Sequence, residues 1–108
     1  MARILLLGLD YVLADELTDV LRRLGHSTRV ANSIDAAAEA AQADLIFAGS
    51  DDFREALEFY PRRPVILTSR LPEIKNWISA LEAGAADYCG APFEATQVRW
   101  VLNTALAA

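Results

Sequence analysis

Residues 80–93 read ALEAGAADYCGAPF, and their order decides the fold. Ile74, Trp77, Ile78 and Leu81 recur at helical spacing, and Gly84 closes that pattern. The next run, DYCG (87–90), reads as a short strand, and Pro92-Phe93 turns the chain into another helix. That last helix presents Val98, Val101, Leu102, Ala105 and Leu106 on one face. Helix, strand, tight turn and helix in so few residues are the marks of an α/β repeat. Chemistry in such folds sits where a strand ends in a turn. Here that turn holds Gly90 and Ala91, which carry no functional group.

Working outward, the same alternation covers the chain. RILLLGL (3–9) is a continuous apolar run, as expected of a strand buried on both faces. Leu13, Leu17, Val20, Leu21 and Leu24 then follow at helical spacing, with Asp10 placed to cap the helix and Gly25 to stop it. STRVA (27–31) is a short strand, and Asn32 or Ser33 caps an Ala-rich helix, IDAAAEAAQ (34–42). DLIFAG (44–49) is a third strand, and DDFREALEF (51–59) a short helix in which Asp52 and Glu55 are spaced like a capping box. Pro61 and Pro64 bracket a turn before VILTS (65–69), and Pro72 suits the first turn of the helix that follows.

The expectation is a single domain, 1–108, of the α/β class: a (βα)5 doubly wound, five-stranded parallel sheet with helices on both faces. Strand-helix-strand connections demand parallel pairing and right-handed crossovers, which leads to a flavodoxin-like strand order, 2-1-3-4-5.

Composition narrows the function classes. The 108 residues are 54% apolar, enough for a filled core without a metal or disulfides. The net charge of −5 repels nucleic-acid phosphates and anionic membrane surfaces. Cys89 is the single cysteine, which excludes an intrachain disulfide and agrees with a reducing compartment. The apolar run of MARILLLGLD ends at Asp10, too short for a signal peptide or a membrane span, so a cytoplasmic protein is expected.

Four strand ends form the rim where ligands would bind: Gly8-Leu9-Asp10, Gly49-Ser50-Asp51-Asp52, Thr68-Ser69-Arg70 and Cys89-Gly90-Ala91-Pro92. Here the sequence resembles the receiver domains of bacterial two-component response regulators, of chemotaxis-receiver type, over essentially its whole length. ALEAGAADYCGAPF is similar to the receiver pattern of Ala-Leu, Ala-Gly-Ala, Asp-Tyr and Lys-Pro-Phe, and ADLIFAG to the run that ends in the phosphorylated aspartate. The resemblance implies two acids after the first strand and one ending the third, which together hold Mg²⁺. The third-strand acid takes the phosphoryl group, and a hydroxyl residue and a lysine contact it.

Carried over residue by residue, the acid pair falls on Gly8 and Leu9, and the phosphoacceptor on Gly49. The hydroxyl residue falls on Ser69, the lysine on Ala91 and the aromatic that reports the switch on Tyr88. Only Ser69 and Tyr88 match. The losses agree physically, because a lysine left facing a pocket without carboxylates would be a poorly paired cation. Gly8, Leu9 and Gly49 offer no side-chain oxygen to Mg²⁺ and no nucleophile. No phosphoacceptor, metal, cofactor or catalytic residue is expected, and the resemblance implies a pseudo-receiver.

The remaining rim acids, Asp10, Asp51 and Asp52, are the alternative: displaced ligands that rebuild a cation site for a phosphorylation-competent switch. A further alternative is a small-ligand sensor using the neutral pocket. Cys89 reads as a buried structural thiol and His26 as a loop residue at the opposite end of the sheet. The glycine pattern of a dinucleotide-binding loop is absent after Gly8. Trp100 falls opposite the core positions of its helix, and Trp77 flanks the apolar stripe of the preceding one. By resemblance, Trp77, Tyr88 and Trp100 lie on the face of the fourth helix, fifth strand and fifth helix. That face suits a protein partner, an effector domain or a second copy in a homodimer. The expected role is a regulatory module of response-regulator type that acts by protein association.

Overall fold

The computed structural model describes residues 2–33, 42–70 and 74–107, with side chains of the last stretch from residue 78 onward. Five strands are present: β1 (Arg3–Leu7), β2 (Ser27–Ala31), β3 (Leu45–Ala48), β4 (Val65–Ser69) and β5 (Asp87–Gly90). All pair in parallel in the order β2-β1-β3-β4-β5, as expected. The described helices are α1 (Tyr11–Arg23), α2 (Phe53–Phe59), α3 (Ile74–Ala83) and α4 (Ala95–Leu106). The Ala-rich helix expected over 34–42 and the contribution of Pro72 lie outside the described residues, save Gln42.

The apolar runs form central strands because both faces of the sheet are covered. On one face Leu5, Leu7, Ile46 and Leu67 pack with Phe53 and Ala56 of α2 and Ala80 of α3. On the other, Ile4, Leu6, Phe47 and Ile66 meet Leu17 of α1 and Val101 of α4. Phe47 is fully buried, so truncating it to Ala would cost about 3–5 kcal/mol.

Helix α1 buries Leu13, Leu17 and Leu21 at four-residue intervals and places Arg22 and Arg23 in its last turn, against the negative end of its dipole. Asp10 caps it as expected: its Oδ1 accepts from the Leu13 N–H at 3.0 Å. The capping box expected at α2 does not form. A capping side chain needs extended backbone, whereas Asp52 is helical (φ −110°, ψ −8°) and makes no side-chain cap bond. Its N–H already bonds to the Gly49 carbonyl, at 3.2 Å, which turns its carboxylate toward Gly8 instead.

Candidate functional site

The carboxyl ends of β1, β3, β4 and β5 form one rim. At the end of β1, Gly8 takes φ +66°, a left-handed conformation that glycine adopts at no steric cost. A Cβ on Gly8 would overlap the carboxylate of Asp52. At the end of β3, a Cβ on Gly49 would overlap the carbonyl oxygen of Gly8. The Asp52 side chain and the Gly8 backbone thus take the space that side chains at positions 8 and 49 would use. Leu9, on the second expected acid position, is buried in the core beneath α1.

Two polar pairs cross the rim. Arg70, directly after β4, donates from Nη2 to Asp10 Oδ1 at 2.6 Å, with both side chains about half exposed. The Leu13 N–H, followed by the Arg70 guanidinium, holds the Asp10 carboxyl below the usual carboxylate range. Ser69 Oγ and the Tyr88 hydroxyl share a hydrogen bond, and the Tyr88 ring is only 8% exposed. Ala91, on the lysine position, is half-buried against the apolar cluster under α4. Its N–H donates to the Ser69 carbonyl at 2.9 Å, and its peptide bond to Pro92 is cis.

Gly8, Gly49, Ser69, Tyr88 and Ala91 therefore gather where the sequence places them, but Asp10, Asp51 and Asp52 do not converge. Asp10 is engaged by Arg70 and the α1 amides, Asp52 packs on Gly8, and Asp51 is exposed. Among the described residues, no three His, Cys, Asp or Glu side chains form a metal-holding group. The residues present do not fit the Mg²⁺ ligand set that the receiver resemblance implies.

Cys89 is fully buried, and burial, followed by the nearby Asp87 charge, pushes its thiol up to about 12, which keeps it protonated. His26 is more than a loop residue: its Nδ1 accepts from the Ala2 N–H at 3.0 Å. Trp100 is 62% exposed on the outer face of α4, as its phase predicts, and Ile78 and Leu81 of α3 are also exposed. Tyr88 belongs to the interior of the expected binding face rather than its surface. The Trp77 side chain lies outside the described residues. Among the described residues, no helix is long and apolar enough to cross a membrane.

By its fold, the class to which this chain is similar is the response-regulator receiver domain. No protein-family model and no curated protein matches the sequence. Among solved structures, NtrX from Brucella abortus in complex with ADP superimposes with a TM-score of 0.84 at 29% identity over 98% of this chain. This chain covers only 26% of that NtrX chain. The isolated receiver domain of the same NtrX gives 0.82 at 26% identity, covering 97% of this chain and 98% of that one. A response regulator receiver domain protein from Clostridium thermocellum gives 0.78 at 21% identity, over 99% and 95% of the two chains.

Proposed function

We propose that this receiver-type domain is a cytoplasmic, non-enzymatic signalling module that works by binding protein, independently of phosphorylation. One observation carries the reading: the Gly8 carbonyl occupies the space of a side chain at position 49, where the resemblance places the phosphoacceptor. Without a nucleophile there, no acyl phosphate forms at that position. Ser69 and Tyr88 still bond, so the aromatic that reports the switch in receivers is held inward with no ligand. The domain is locked in one conformation.

Its output face is the exposed surface of α4 and α3, the two helices that flank β5. Of the residues in α4 only Arg99 is charged, although the chain as a whole carries −5. An exposed Trp100 beside an Arg, amid uncharged polar residues, matches the composition of protein interfaces. The partner is a second copy or an effector domain; the acidic balance disfavours nucleic acid.

The decisive measurement is thermal melting with Mg²⁺ and beryllofluoride or acetyl phosphate. An unchanged melting temperature is expected, and a clear rise would favour a displaced-acid switch and overturn the reading. For the output face, sedimentation of wild type is compared with Trp100→Ala. A wild-type dimer that the substitution dissociates supports self-association, whereas a monomer in both cases points to an effector instead.

A further inference from the structure

We propose that the Asp10–Arg70 ion pair is a strap across the rim that holds the Ser69–Tyr88 pair in place. The inference rests on the phosphorylation-independent reading and names how that locked state is held.

Strand β3 lies between β1 and β4, so residues following β1 and β4 stand roughly 10 Å apart, two strand spacings. The Arg70 side chain bridges that gap and reaches Asp10 at 2.6 Å. Asp10 is a firm anchor, because the same Oδ1 accepts from the Leu13 N–H of α1. From Arg70 the connection runs one residue back along the backbone to Ser69. The Ser69 hydroxyl bonds Tyr88 of β5, and its carbonyl accepts from the Ala91 N–H ahead of α4. A continuous polar chain thus ties the start of α1 to β4, β5 and the approach to α4.

Cutting the strap frees the backbone at Ser69, and the first bond to feel it is Ala91 N–H to Ser69 O. Hydrogen exchange of the Ala91 amide is therefore the readout. Both charged groups are about half exposed, so the variants keep the core intact. Asn also caps helices, so Asp10→Asn removes the charge while retaining the α1 cap. Arg70→Ala and Asp10→Asn should each speed Ala91 exchange about two- to fivefold, the range of an exposed pair. The double variant should be no faster than either single one. The His26 amide, bonded to the Leu21 carbonyl at the far end of the sheet, should stay unchanged in all three. Ala91 exchange unaltered by Arg70→Ala, or single effects that add in the double variant, would overturn the strap. The two readings fail separately: a melting temperature raised by beryllofluoride overturns phosphorylation independence, whereas Ala91 exchange judges the strap.

Discussion

The two ends of the sheet are held by opposite devices. At the amino end, side chains bind the leading backbone of β1: His26 accepts from the Ala2 N–H, and Asp44 Oδ2 accepts from the Arg3 N–H at 2.8 Å. The Asp44 N–H returns a bond to the Arg3 carbonyl at 2.7 Å. At the carboxyl rim, side chains bind one another, Asp10 with Arg70 and Ser69 with Tyr88, and two glycines let the backbone close beneath them. The amino end is thus tied side chain to backbone, whereas at the rim the Asp52 side chain and the Gly8 carbonyl take the space beside Gly8 and Gly49.

The contrast breaks most forcefully at position 49. Gly49→Asp pushes a side chain into the Gly8 carbonyl and should lower stability in urea titration by about 3 kcal/mol. It should give no melting response to Mg²⁺ and beryllofluoride; a variant as stable as wild type would mean that the rim still has room.

Gly8→Ala comes next, at about 2–3 kcal/mol, from a left-handed φ and overlap with the Asp52 carboxylate. In an Asp52→Ala background the same change should cost less, because the overlap is gone and only the backbone strain persists. Equal costs in both backgrounds would place Asp52 elsewhere.

The smallest effect separates the two ends by acidity. Partial burial lowers the His26 pKa, so its neutral form is favoured in the folded state. Its contribution is therefore complete above the ordinary histidine value of about 6.5 and is lost as pH falls through the lowered folded value. The Asp10 contribution, also from a lowered pKa, persists to pH values below the usual carboxylate range. Stability should thus decline in mild acid by less than about 1 kcal/mol, the worth of one exposed hydrogen bond. His26→Gln should flatten that part of the profile in chemical unfolding. A decline that survives the substitution would assign it to another group.

The sheet was legible because β1, β3 and β4 are apolar runs punctuated by Gly, Pro or a capping Asp, and these signals are local. RILLLGL and VILTS reveal themselves within a few residues, and parallel order follows from the intervening helices. The strand-end positions of Gly8, Gly49 and Ala91 were legible too. What fills them was not. Asp52 reads as a cap, since its spacing to Glu55 is right, but its helical backbone and its N–H bond to the Gly49 carbonyl leave its carboxylate beside Gly8. Asp10 and Arg70 are 60 residues apart, and His26 is 24 from Ala2, so neither tie leaves a local pattern. Tyr88, expected on the binding face, has its ring in the interior, which the sequence pattern does not reveal.

The carbonyl of Gly8 resting where a residue-49 side chain would begin couples the ends of two strands. An acid placed at 49 alone meets a backbone atom that no rotamer change can move, so such a variant loses stability before it gains any chemistry. Making room at 49 requires position 8 to shift its backbone and Asp52 to withdraw in step. Redesigning this rim is a three-residue problem.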